Sequence, residues 1–277
     1  MAEKSILITG CSSGIGYDAA HTLKKRGWRV FATCRAKVDC DRLISEGLES
    51  FVLDYEDEAT IEAAVAETLA RTGGTLDALF NNGAYAIPGA VEDLPRAALQ
   101  TIFETNLFGY HDLTCRVIPV MRKQGHGRIV NCSSVLGFVA MQYRGAYNAT
   151  KFALEGLTDT LRIEMRDHPI DIILIEPGPI ATDFRKNARI QFEKWIDWKT
   201  SAVRNAYEKE LCKRLSNEAG KPDLFELPSS AVTKKLIHAM ESRRPRPRYY
   251  VTVPTYMMDM LRRALPTRVL DWFLAKV

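Results

Sequence analysis

The chain has 277 residues, 46% hydrophobic and 9% aromatic, enough apolar material for a sizeable core and a length that suits one α/β domain. A formal net charge of +4 is too small to argue for nucleic acid as a partner. No apolar run is long enough to span a membrane, six cysteines show neither metal spacing nor a disulfide framework, and five scattered histidines argue against a metal site.

Residues 5–8 read as a short apolar strand that begins close to Met1, which sets the expectation of a cytoplasmic protein with no leader peptide and with reduced thiols. Thr9-Gly10-Cys11-Ser12-Ser13-Gly14-Ile15-Gly16 follows and opens a helical stretch over 17–26, ended by Gly27. Strand, glycine turn and helix form the setting that a phosphate-binding loop requires. Gly10 allows the tight turn, Gly14 lets a pyrophosphate approach the backbone, and Gly16 lets helix and strand pack closely. The free N–H groups of the helix start face the anion.

Further strands are predicted at 28–33, 50–53, 76–80, 128–132, 171–175 and 249–253, all short and rich in Val, Ile, Leu and Phe. Helical patterns lie between them at 58–71, 95–122, 146–167 and 229–241. This alternation implies a Rossmann-type, doubly wound parallel sheet with helices on both faces. Ligands of such a sheet bind beyond the carboxyl ends of its strands. The second strand leads to Cys34 and then Arg35, with no carboxylate at its end and a guanidinium ready to pair with a 2′-phosphate. NADP is therefore the expected cofactor, rather than NAD.

Tyr147 and Lys151 are four residues apart, which places them on one helix face, one turn from each other. An ammonium there can lower the pKa of the phenol and make it a usable proton donor. In the Ser133-Ser134 pair upstream, Ser133 is expected to cap a turn. The chain carries no nucleophile elbow and no paired carboxylates at a turn; hydride transfer on a bound cofactor fits the parts present.

Residues 180–227 break the rhythm, with Ile190, Phe192, Trp195, Ile196, Trp198 and Tyr207 interleaved among charges. A segment this long is read as a helical substrate cap. The run at 243–248, rich in Arg and Pro, is read as a solvated turn. In the segment 254–277, Met257, Met258, Leu261, Val269, Leu270, Phe273, Leu274 and Val277 recur at helical spacing beside Arg262, Arg263, Arg268, Trp272 and Lys276. That pattern is expected to bury an apolar face on the protein's own core, a partner subunit, the substrate pocket or a lipid interface.

Taken in order, Thr9 to Gly16, Asp54, Asn81-Asn82-Gly83-Ala84, Asn106, Ser134, Tyr147 with Lys151, and Pro177-Gly178 resemble the short-chain dehydrogenase/reductase family along nearly the whole chain. Ser134 precedes Tyr147 by thirteen residues, the family's usual interval. One departure stands out: the family normally reads Asn-Asn-Ala-Gly where this chain has Gly83-Ala84 in exchanged order. Residues 30–35 and 147–156 look most like the hydroxysteroid and retinol dehydrogenase branch.

The resemblance implies a role for each residue. Tyr147 gives its proton to a carbonyl oxygen while hydride arrives from the nicotinamide, and Ser134 hydrogen-bonds the same oxygen. Lys151 depresses the Tyr147 pKa and binds the nicotinamide ribose. Asn106 holds a water that links Lys151 to solvent. Ser12, Ser13, Gly14 and Ile15 cradle the pyrophosphate, Asp54 meets the adenine or orders its loop, and Asn82 and Gly83 pass the adenosine ribose. Pro177, Gly178, Ile180 and Thr182 meet the nicotinamide amide. The implied activity is an NADP-dependent oxidoreductase acting on an apolar aldehyde or ketone, or the matching alcohol, in a homo-oligomer. The alternative is a nucleotide-binding sensor or scaffold without turnover.

Overall fold

The computed structural model describes residues 3–216 and 222–276, so Val277 and residues 217–221 of the 180–227 segment lie outside the described residues. In chain order the strands are β1 (Ser5–Ile8), β2 (Arg29–Cys34), β3 (Glu49–Val52), β4 (Ala78–Asn81), β5 (Gly127–Cys132), β6 (Ile170–Glu176), β7 (Ile180–Ala181), β8 (Leu227–Pro228) and β9 (Arg248–Tyr250). Seven of them form one all-parallel sheet in the order β3-β2-β1-β4-β5-β6-β9. The helices are α1 (Gly14–Lys25), α2 (Lys37–Ser45), α3 (Glu58–Thr72), α4 (Arg96–Phe103), α5 (Gly109–Gln124) and α6 (Gly145–Glu164). They continue as α7 (Phe184–Trp195), α8 (Arg204–Ala206), α9 (Cys212–Ser216), α10 (Ser230–Glu241), α11 (Val253–Ala264) and α12 (Thr267–Leu274).

Strand alternation explains the two layers. Ile6 and Ile8 of β1 face one side, where they pack with Val30, Phe80, Val130 and Ile173 under α1, α2 and α10. Leu7, between them, faces the other side with Phe31, Leu79 and Ile129 under α3, α5 and α6. Buried on both faces, the strands read as continuous apolar runs.

Two differences from the sequence reading have local causes. α2 was not expected: of its nine residues only Cys40 and Leu43 are buried, too few for a helical period to show. The single helix expected over 95–122 is two helices, α4 and α5, joined by a π-type turn at Glu104–Phe108 that carries Asn106. Such a turn inserts a residue into the helical ladder, a feature often found at functional sites.

The 180–227 segment opens with β7, which pairs in parallel with β8, and holds α7, α8 and α9 between them. Phe192, Ile196, Tyr207, Leu211 and Leu215 pack with Ile87, Ala146 and Tyr147, so the segment covers the start of α6. Ile190, counted with the apolar residues of the cap, points outward instead. At the C-terminal end, Met257, Met258, Leu261, Phe273 and Leu274 pack on Phe138 and Val139, so the inner face of α11 and α12 lies on the protein's own body. Val269 and Trp272 face outward. No helix among the described residues is long and apolar enough to cross a membrane.

Candidate active site

Tyr147 and Lys151 sit one turn apart on α6, 7% and 1% exposed. The Lys151 Nζ donates to the carbonyl of Cys132 at the end of β5, 2.8 Å away, and lies 5.7 Å from the centre of the Tyr147 ring. Ser134 follows β5 in extended conformation, and its Oγ accepts from the Leu136 amide at 3.1 Å, which starts the turn Val135–Gly137. Asn148, on the next position of α6 after Tyr147, fastens that turn by donating to the carbonyls of Leu136 (3.0 Å) and Val139 (2.8 Å). Ser133 does not cap the turn as expected: Ser134 does, and the buried Ser133 hydroxyl has no hydrogen-bond partner among the described residues.

Burial holds the Tyr147 phenol well above its usual value, with Cys132 adding to the effect and the Ser134 hydroxyl opposing it. Burial also pushes the Lys151 ammonium down to about 8, against Cys132 and Glu155, which favour its charge. The lowering influence on the phenol comes from the Ser134 hydroxyl, and the Lys151 ammonium is turned to the Cys132 carbonyl.

Asn106 is fully buried in the π-type turn. Its Oδ1 accepts from the Tyr85 amide (3.1 Å), and its Nδ2 donates to the Tyr85 carbonyl (2.8 Å) and to the Thr150 Oγ1 (3.2 Å) on α6. The amide side chain fixes Tyr85 against α6.

Around the glycine loop, Gly10 adopts φ +67°, and a Cβ there would lie 2.5 Å from the Cα of Gly83. A Cβ at Gly16 would collide with the Gly10 carbonyl oxygen, so Gly16 packs against the loop itself rather than simply helix on strand. Asn82 and Gly83 serve the loop as well. Their amides donate to the Thr9 Oγ1 at 2.9 and 3.2 Å, and the Asn82 Nδ2 donates to the Thr9 and Gly10 carbonyls at 3.0 and 3.3 Å. A Cβ on Gly83 would meet ordinary contacts at 3.4 Å, so neither order of Gly and Ala strains this turn.

Ser13 is the N-cap of α1, and its hydroxyl makes no capping bond. Ile15 packs on the core beneath. Arg42 of α2, unnoticed in the sequence, donates to the Ser12 carbonyl at 2.6 Å. Arg35 is exposed at the end of β2, beside the buried Cys34, whose thiol burial pushes up to about 12. Asp54 orders its turn by accepting from the Glu56 amide at 3.1 Å.

Thr182 lies over Gly14, where a Cβ would come within 2.9 Å of its methyl. Gly14, Tyr17, Thr182, Asp183 and Ser229 line a groove of about 600 Å³ there. Pro177 accepts from the Val135 amide at 2.8 Å, next to Ser134. Gly178 is packed so closely on Thr252, at the start of α11, that a Cβ would collide with its hydroxyl. Ile180 forms β7 beside Leu227. The glycine loop, the Thr182 side and the Ser134–Tyr147–Lys151 cluster thus lie at the carboxyl end of the sheet.

Tyr55 was missed by sequence reasoning. Its hydroxyl contacts the Thr9 Oγ1 (2.7 Å) and donates to the Asn81 Oδ1 (2.8 Å). Asn81 donates to Asn131 (2.9 Å), and Asn131 to the Thr158 hydroxyl on α6 (3.0 Å), so a buried polar line runs from the glycine loop to α6. The sequence signal was an asparagine near the carboxyl end of each of two predicted strands, in register in the structure.

The sequence pattern of the short chain dehydrogenase family matches residues 4–192. An uncharacterized oxidoreductase of Escherichia coli (strain K12), YbbO, is 39% identical over 97% of this chain and 93% of its own length. The 17-beta-hydroxysteroid dehydrogenase type 6 of Rattus norvegicus is 30% identical over 99% of this chain and 88% of its own. Among solved structures, a variant of actinorhodin polyketide ketoreductase with NADPH superposes with a TM-score of 0.72 at 26% identity, over 90% of this chain and 95% of that one. The family pattern spans more than half of the chain, and a relative at 39% identity spans nearly all of it; the chain belongs to the short-chain dehydrogenase/reductase family.

Proposed function

We propose that the protein is an NADP-dependent oxidoreductase that interconverts an apolar aldehyde or ketone and its alcohol, with Tyr147 as general acid and base. The observation that carries this reading is the buried Tyr147 phenol beside the Ser134 hydroxyl, one helical turn from Lys151. The residues suit a nicotinamide dinucleotide: the α1 N-terminus is uncapped by Ser13, glycines leave the backbone bare, and a groove of about 600 Å³ adjoins Gly14. When bound, that group supplies or accepts the hydride.

This chain's own residues do the rest. Ser134 orients a carbonyl oxygen toward Tyr147, and Tyr147 delivers the proton. Lys151, pushed down to about 8 by burial, holds an exchangeable proton one turn away. Phe184 lies edge-on to the Tyr147 ring at 5.4 Å, and Ile87, Phe192 and Ile196 pack nearby, so the cap offers an apolar lining. Support for NADP is Arg35, exposed and without a carboxylate partner among the described residues, after an uncharged Cys34.

The test is NADPH oxidation by purified protein with a series of aliphatic aldehydes. Tyr147→Phe is expected to lower turnover by roughly 100-fold or more, the usual weight of a general acid, while NADPH affinity stays nearly unchanged. Retention of most activity by that variant would overturn the assignment.

A further inference from the structure

Arg144 immediately precedes α6 and stands three residues before Tyr147. The residue before it, Tyr143, has φ +58°, a left-handed conformation that side chains other than glycine seldom adopt. Such strain persists only where the surroundings enforce it, and it gathers at ligand sites. Here the Gly89 amide donates to the Tyr143 carbonyl at 3.0 Å, and the Tyr143 ring packs on Tyr207 of the cap, centres 5.7 Å apart. The backbone is thereby pinned where Arg144 stands between the 84–94 loop and the cap, at the head of the catalytic helix.

The guanidinium itself has little to hold. Its acceptor is the carbonyl of Tyr143 at 3.2 Å, and no carboxylate pairs with it among the described residues. Arg29, Arg116 and Arg248, also set between elements, each hold carboxylates. Among the described residues the charged neighbours of Arg144 are Arg214 and Arg185, which repel it, and Asp223, which Arg185 already pairs with. Burial, with those two arginines, pushes Arg144 down to about 10. A partly buried cation with unused donors is costly unless an anion completes it. Its planar fork matches a carboxylate.

We infer that Arg144 is an anion subsite of the substrate pocket, and that the substrate is an apolar carbonyl compound carrying a carboxylate at the end remote from the reacting carbon. This rests on the reading of Tyr147 as the residue that meets the carbonyl. Arg144 and Tyr147 are three residues apart where α6 begins, and the long Arg144 side chain lets one ligand meet both.

The experiment compares ω-oxo acids with their methyl esters, matched in length, as substrates of the parent protein with NADPH. The acids are expected to have a kcat/KM about tenfold or more above the esters, the weight of one charge-assisted pair. Arg144→Gln should remove this preference, mostly through KM, and Arg144→Lys should keep part of it. Arg214→Glu, on the exposed side of α9, supplies a competing carboxylate and should also weaken the preference, even if Arg144→Gln fails to fold. Acids no better than esters in the parent, or a preference that survives both changes, would overturn the subsite. Decanoate binding by calorimetry separates the two ideas. If no aldehyde is reduced but decanoate binds the parent and not Arg144→Gln, the subsite stands and the hydride-transfer reading falls. If decanoate binds both proteins equally, the subsite falls.

Discussion

Replacing Arg248 by Met should expose how heavily the edge of the sheet depends on one cation. Arg248, on β9, pairs with Glu155 and Glu176 and donates to Asp159 at 2.6 Å. The Glu176 side chain is 0% exposed and that of Glu155 9%, and each retains one oxygen without a hydrogen-bond partner among the described residues. Met preserves much of the stem and deletes the charge, leaving the buried carboxyl groups of Glu155 and Glu176 without their cation. Breaking a buried pair in this way costs about 3–5 kcal/mol. At roughly 2–4 °C per kcal/mol for a domain of this size, the melting temperature should fall by roughly 6–20 °C.

The pH dependence sharpens the test. Burial, reinforced by Glu155, pushes Glu176 up from 4.5 to about 8. A raised carboxyl favours the folded state fully below its unfolded value. That contribution is lost as pH climbs through about 8, and above that the parent should level off. Without Arg248 the group rises further, so the variant should go on losing stability above pH 8, by up to about 1.4 kcal/mol per pH unit. Thermal denaturation followed by circular dichroism at about pH 6 and about pH 9 measures both quantities. Adding Glu176→Gln should restore much of the loss. A melting temperature within about 2 °C of the parent, or a gap that does not widen with pH, would refute the reasoning.

Arg35→Ala should weaken NADPH binding about tenfold while leaving NADH nearly unaffected, since only the 2′-phosphate loses a charge-assisted partner. Fluorescence titration of both cofactors reads this directly, and an equal effect on the two would remove the basis for NADP preference. Gly16→Ala should destabilise the fold by about 1–3 kcal/mol and impair binding of either cofactor, because the added methyl meets the Gly10 carbonyl. Gly156→Ala, in α6 with nothing within 4 Å, is the matched control and should be neutral or stabilising in the same melts.

The sheet was legible because β1 spells its two faces in three letters, Ile6, Leu7 and Ile8, and the later strands repeat that apolar density. The glycine loop, Ser134, Tyr147 and Lys151 were legible because their spacing in the chain survives as proximity in space. What escaped depends on tertiary partners. Nothing local marks the π-type turn at Glu104–Phe108, whose Asn106 is anchored by Tyr85 and Thr150 from elsewhere in the chain. The four-residue interval between Tyr147 and Lys151 gave their shared helix face correctly but not the ammonium's partner, which is a carbonyl on β5. Arg144 is one arginine among many in the sequence; only the lack of a pairing carboxylate around its folded position, among the described residues, distinguishes it.

The buried line Thr9–Tyr55–Asn81–Asn131–Thr158 has a bearing on how this chain can change over generations. Each member satisfies the next, so losing one strands a polar group in the interior at about 1–3 kcal/mol. Replacing two neighbours together by shapes of equal volume avoids that penalty. Accepted substitutions along the line should therefore arrive in pairs, while the apolar positions of the cap, such as Phe192 and Ile196, can change one residue at a time. If the cap lines the substrate site, as proposed above, new substrates are reached by altering it, with the link between the glycine loop and α6 inherited whole.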